Sequence, residues 1–141
     1  MSLDESKIFE LIEKAIKARK FSFSPYSNFS VGAALLCKNG EIFTGSNIES
    51  EVFTPSICAE RTALFKAISE GEKDFVAIAI VGGKSDENKI QKFCPPCGVC
   101  RQIFSEFCKE ESFTVILYDG ENYRLFKLKD LLPEKFKANK S

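Results

Sequence analysis

Two short cysteine clusters constrain this chain more than anything else in it. The first lies in TPSICAERTALFKA, residues 54–67, where Cys58 stands two residues before Glu60. The second is Cys94-Pro95-Pro96-Cys97-Gly98-Val99-Cys100-Arg101-Gln102. Both read as helix starts. A helix N-terminus carries partial positive charge and free N–H groups, which stabilise thiolates. Two helices beginning side by side on one sheet bring Cys58, Cys97 and Cys100 together, although 39 residues of sequence separate Cys58 from Cys97. Three thiolates can hold a zinc ion and leave its fourth position to water, and a carboxylate beside that water can carry protons. There is no histidine, so a metal site must use thiolates or carboxylates and no His-dependent triad is possible.

The spacing alone leaves three readings. The site can be open and catalytic; it can be closed and structural, with Cys94 as fourth thiolate; or Cys-x-x-Cys can be a redox pair. Glu60 favours the first, since a closed site has no use for that acid. Cys97 and Cys100 are preferred over Cys94 because Pro96 suits a helix entry just before them. Three thiolates and Zn²⁺ sum to −1. Arg61 is placed to balance that charge, with Arg101 a second candidate. Cys37 and Cys108 read as core thiols.

The rest of the chain supplies an α/β frame. Residues 2–20 read as a helix with Ile8, Leu11, Ile12, Ala15 and Ile16 on one stripe, and Ser2 with Glu5 has capping-box spacing. Residues 21–28 form a loop. Residues 29–37 are a small-residue strand, turned at Asn39-Gly40 into an antiparallel strand at 41–45. Residues 47–57 are an irregular loop. The second helix covers 58–70 and stops at Gly71. The apolar run 75–81 suits a strand buried on both faces, and 82–92 reads as an exposed polar loop. The third helix covers 97–109. Strands at 113–118 and 123–128 flank the turn Asp119-Gly120-Glu121-Asn122, which makes them antiparallel. Leu131-Leu132-Pro133 ends a short last turn, and a Lys-rich tail, 135–140, follows and is read as solvated. The order α-β-β-α-β-α-β-β predicts one domain, 1–141, as a three-layer α/β/α sandwich around a five-stranded mixed sheet.

Composition excludes several classes. Net formal charge is zero, against the basic patch that nucleic-acid binding needs. No apolar run is long enough to span a membrane, and no signal peptide is evident. Six cysteines without an export signal point to reduced thiols in a cytoplasm.

At Cys58-Ala59-Glu60-Arg61-Thr62-Ala63 and Pro96-Cys97-Gly98-Val99-Cys100-Arg101-Gln102 the chain resembles the cytidine deaminases of the small, three-cysteine, homotetrameric kind. The resemblance runs from Pro25-Tyr26-Ser27-Asn28-Phe29-Ser30-Val31-Gly32-Ala33-Ala34 to Leu131-Leu132-Pro133. It implies zinc-dependent hydrolysis of cytidine and 2′-deoxycytidine to the uridines plus ammonia, in pyrimidine salvage. It implies one Zn²⁺ per subunit on Cys58, Cys97 and Cys100, with Glu60 as proton shuttle and Arg61 bonded to ligand thiolates. Asn47 and Glu49 match the pair that holds ribose hydroxyls, and Phe29 matches the aromatic against the base. The resemblance also implies that Ala59 and Cys97 contact the base or zinc water through backbone groups. Phe136 matches an aromatic that enters a neighbouring subunit's site, so that active sites are completed across a homotetramer. Antiparallel final strands resemble the nucleoside deaminases rather than those acting on tRNA or DNA. Ser50-Glu51-Val52, Phe53, the long 82–92 loop and Cys94-Pro95 depart from the family pattern. Two rival readings remain: a deaminase of cytosine-nucleoside antibiotics of the blasticidin type, and a non-catalytic zinc-binding module.

Overall fold

The structure is a computed structural model that describes residues 3–137. Helix α1 (Glu5–Ala18) is capped by Asp4, whose carboxylate accepts from the Lys7 N–H at 2.8 Å. The cap therefore differs from the expected Ser2, which lies outside the described residues. Ile8, Leu11, Ile12, Ala15 and Ala18 are buried, as the stripe requires, while Ile16 is only partly so. The helix ends earlier than expected because Arg19–Phe21 tighten into a 3₁₀ turn.

Strands β1 (Phe29–Cys37), β2 (Ile42–Ser46), β3 (Phe75–Lys84), β4 (Thr114–Tyr118) and β5 (Tyr123–Lys127) form one sheet in the order β2-β1-β3-β4-β5. Only β3 and β4 pair in parallel; β1 with β2, β1 with β3, and β4 with β5 are antiparallel. Helices α2 (Ala59–Ser69) and α3 (Gly98–Phe107) and the short α4 (Leu128–Leu131) complete the order. The expected strand and helix boundaries shift by one or two residues at most ends. The exception is β3. Its ladder with β1 continues through Ser30↔Gly83 and Phe29↔Lys84, so 82–84 are strand rather than loop. Two glycines and a lysine are poor strand formers, and the hydrogen-bonding edge of β1 overrides that preference.

The sheet has an apolar cluster on each face. Alternation along β3 sends Ala77, Ala79 and Val81 towards α1, with Leu11, Ile12 and Ala15. Ile78 and Ile80 face Ala63 and Leu64 of α2 and Phe104 of α3. This is the three-layer α/β/α sandwich with an antiparallel final pair. Two glycines set the closest helix–sheet approaches. A Cβ at Gly32 would lie 1.9 Å from the Ala15 carbonyl oxygen, and one at Gly45 would lie 2.5 Å from the Ala59 oxygen and 2.6 Å from the Ala63 nitrogen.

This topology positions the site. Gly32 pairs with Ser46 on one side and Val81 on the other, so β2 and β3 run the same way and end at the same edge of the sheet. Helix α2 follows β2 and α3 follows β3, and both start there. Phe29, the first residue of β1, lies at that edge too. Among the described residues, no helix is long and apolar enough to cross a membrane.

Gly32→Ala forces a methyl group into the backbone of α1. It should destabilise the fold by about 3 kcal/mol, as severe overpacking does, measured as a lowered urea midpoint.

Candidate active site

Cys58 and Cys97 are the N-cap residues of α2 and α3, with extended backbones (φ −75°, ψ 155° and φ −69°, ψ 167°). Neither uses its side chain to cap its own helix, so both sulfurs are free to turn to each other. Cys100 follows in the first turn of α3. Cys58 and Cys97 Sγ lie 3.6 Å apart, as do Cys97 and Cys100 Sγ. All three lie within 4.8 Å of one another, the one such group of potential metal ligands among the described residues. Sulfurs on a tetrahedral zinc, with Zn–S near 2.3 Å, sit about 3.8 Å apart. The donor set therefore fits zinc in both chemistry and spacing.

Cys94 stands outside this group. It is pushed up to about 12 by burial, and its sulfur packs against Gly82, 2.9 Å from where a Cβ would stand. This geometry belongs to an open site of three thiolates, not a closed one of four. Cys37 and Cys108 are buried, as expected of core thiols, although Cys108 caps the end of α3 rather than lying within it.

The electrostatics are those of a cluster that must lose protons. Cys58 is pulled well below the usual thiol range, chiefly by its hydrogen bond with Cys100 and further by Arg61 and Cys97. Cys100 is pushed far up, because it holds the proton it shares with Cys58 and because it is buried. Arg61 Nη2 donates to Cys58 Sγ at 3.5 Å. Burial opposes the Arg61 charge, but the bond to Cys58 and the neighbouring thiolates outweigh it and raise its pKa. Arg61 Nε is buried with no partner. Arg101, the second candidate for charge balance, does not take that part. It donates to the carbonyls of Pro96 and Leu131, both at 2.8 Å, and so ties the first turn of α3 to the C-terminal segment.

Glu60 is 4% exposed. Its carboxyl is raised to about 7, mostly by burial, with the Cys58 charge adding to the effect. A carboxyl poised near neutrality can both take and give a proton.

These groups share a cavity of about 340 Å³, which Phe29, Asn47, Glu49, Cys58, Ala59, Glu60, Arg61 and Cys97 all line. Cys100 is fully buried behind it. Phe136 lies away from its own chain's cavity. It is 72% exposed and held through its carbonyl by Gln102 Nε2 at 2.9 Å.

Asn47 and Glu49 already hold the loop above the cavity. Asn47 Oδ1 accepts from the Val31 N–H at 2.9 Å, and Nδ2 donates to the Phe29 carbonyl at 2.9 Å. Glu49 accepts from the N–H groups of Tyr26 and Ser27 and from the Ser27 hydroxyl. These bonds, the Ser27 hydroxyl first, lower its pKa and keep it ionised. Sequence reasoning missed the lining given by Val31, Ser56, Ile57 and Pro95. The loop 47–57 brings Ile57 there by pairing it with Ile48, a fold-back with no periodic signature.

Cys97→Ser should lose most of its zinc, whereas Cys94→Ser should keep about one zinc per chain, as an open three-thiolate site requires; metal analysis of purified protein decides. Arg61→Ala should bind zinc more weakly, read as faster loss to a chelator.

The family described as the cytidine and deoxycytidylate deaminase zinc-binding region matches residues 5–116. A cytidine deaminase from Halalkalibacterium halodurans is 43% identical over 128 residues, 91% of this chain and 92% of that one. A blasticidin-S deaminase from Bacillus cereus is 31% identical over 132 residues, 92% of each chain. Among solved structures, a cytidine deaminase from Burkholderia pseudomallei superposes with a TM-score of 0.81 at 40% identity, covering 91% of this chain and 98% of that one. With the sandwich, the three-sulfur cluster and the buried acid already in place, these matches make the chain a member of the zinc-binding cytidine and deoxycytidylate deaminase family.

Proposed function

We infer that the chain, acting as one catalytic domain, hydrolyses cytidine and 2′-deoxycytidine to uridine and 2′-deoxyuridine plus ammonia, as an enzyme of pyrimidine salvage. The observation that carries this is the placing of buried Glu60 and the three-sulfur cluster in the same cavity as Asn47 and Glu49. A proton carrier and a metal site thus face the pair suited to a sugar.

Cys58, Cys97 and Cys100 would hold the zinc. When bound, the metal supplies a water acidic enough to attack at neutral pH. Glu60 is placed to take one proton from the attacking water and give it to N3 of the base, then to take the second from the new hydroxyl on C4 and pass it to the departing amine. The balance is one water in and one ammonia out. Its raised pKa suits this traffic, since each transfer needs a group able to exist in both states. Arg61 offsets the excess negative charge of three thiolates, which would otherwise make the water less acidic. Phe29 lies against the base, and Ala59 and Cys97 contact it, or the water, through backbone groups. Asn47 and Glu49 meet the sugar hydroxyls with an N–H donor and a carboxylate acceptor. Phe136, exposed and away from its own cavity, completes a neighbour's site in a homotetramer. Reduced, clustered thiols suit a cytoplasmic enzyme, and zero net charge suits a nucleoside better than a nucleic acid.

A second reading is deamination of a blasticidin-type nucleoside. The 31% identity to the Bacillus cereus enzyme over almost the whole chain favours it, while the Asn47–Glu49 pair argues for an ordinary sugar.

Ammonia release from cytidine by zinc-quantified protein tests the assignment, with cytosine, CMP and blasticidin S assayed beside it. Turnover of cytidine but not of cytosine or CMP is expected; turnover of blasticidin S alone would transfer the assignment. Glu60→Gln should keep its zinc and lose on the order of 10²–10⁴-fold in kcat. Sedimentation should give the mass of four chains, and a fully active monomer would refute the shared site.

A further inference from the structure

Four serine hydroxyls from separate parts of the chain line a second cavity, and one of them reaches Asn47. Ser22 follows the 3₁₀ turn, Ser24 lies in the next loop, Ser30 is in β1 and Ser85 follows β3. The Oγ atoms of Ser24, Ser30 and Ser85 are 2.8 to 3.3 Å from one another. Ser22 Oγ lies 3.2 Å from Ser24 Oγ and 2.5 Å from Asn47 Oδ1.

The surroundings of Asn47 allow its amide only one orientation. The Val31 N–H requires an acceptor opposite it, and the Phe29 carbonyl requires a donor. Oδ1 therefore faces Val31 and Nδ2 faces Phe29. An amide oxygen only accepts, and a hydroxyl has one proton, so Ser22, which is placed to donate to both Ser24 and Asn47, gives its proton to the nearer Asn47 Oδ1. Both lone pairs of Oδ1 are now occupied. One N–H on Nδ2 is left, and no acceptor.

Glu49 is in a complementary state. Of about four lone-pair sites on a carboxylate, the N–H groups of Tyr26 and Ser27 and the Ser27 hydroxyl occupy three. One acceptor position remains. A sugar hydroxyl can accept from one partner while it donates its one proton to another, which matches one N–H from Asn47 and one lone pair from Glu49.

We propose that Ser22 is a positioning residue for the reaction: by filling the second lone pair of Asn47 Oδ1, it makes Asn47 a donor alone towards the cavity. This rests on the reading that Asn47 meets the sugar. Without the Ser22 hydroxyl, Oδ1 competes with Glu49 for the sugar's proton or for water, and the amide is held by two bonds instead of three.

The test uses full-length, zinc-loaded Ser22→Ala, Ser22→Thr, Asn47→Ala and the Ser22→Ala/Asn47→Ala double variant. It measures cytidine kinetics and the side-chain amide NMR signals of Asn47, identified by their loss in Asn47→Ala. Ser22→Ala should raise KM roughly fivefold, as loss of one neutral hydrogen bond does, with kcat near wild type. Ser22→Thr should restore KM. In the Asn47→Ala background, Ser22→Ala should add nothing. The Asn47 amide signals should shift and exchange faster in Ser22→Ala. Unchanged KM and unchanged amide signals in Ser22→Ala, beside a raised KM in Asn47→Ala, would overturn the proposal and leave the sugar reading intact. An equal fall of kcat and melting temperature without a change in KM would mark Ser22 as structural only. A flat KM in Asn47→Ala would instead sink the sugar reading, and with it any part for Ser22 in the reaction.

Discussion

Three sulfurs held within 4.8 Å cannot all be thiolates unless something positive faces them, and the fold answers that requirement. Cys58 and Cys97 sit at the starts of two helices, where unsatisfied N–H groups and the helix dipole favour negative charge. Arg61 adds a full charge within reach of Cys58. The strand order makes β2 and β3 end at one edge, so that both helices begin together. Close backbone contact at Gly45 then fixes α2 on β2. A metal of charge +2 completes the balance.

Much of this was legible from sequence, for physical reasons. Helix starts, apolar runs and tight turns are local, and each strand and helix was found to within a few residues. The cysteine spacing gave the site because i, i+3 residues in a first turn must share a face. What escaped was set by distant partners. Asp4 caps α1 because the helix starts there once Leu3 packs on its own cluster. Gly82, Gly83 and Lys84 are strand only because β1 offers them a ladder. Arg101 looked like a charge for the thiolates, yet two carbonyls far apart in sequence claim it. The bond from Ser22 to Asn47 spans 25 residues and follows no periodicity.

The cavity wall shows how polar groups acquire a direction. Asn47 and Glu49 could each take several partners, but the backbone of Phe29, Val31, Tyr26 and Ser27, with the hydroxyls of Ser22 and Ser27, uses most of that capacity. What is left is narrow in chemistry and fixed in place. Groups held in this way need little reordering to meet a partner, which is how pre-organisation limits the cost of binding.

The last strand of the sheet has a consequence of a different kind. β5 pairs with β4 on one side and forms the free edge on the other, where an unpaired strand can template stacking of chain on chain. Arg124 and Lys127 stand exposed on it, and the Arg124 guanidinium lies 4.4 Å from the centre of the Phe93 ring. Positive charge on this edge makes two copies repel when their strands approach. The chain is thereby protected from stacking along this edge, one of the two ends of the sheet order.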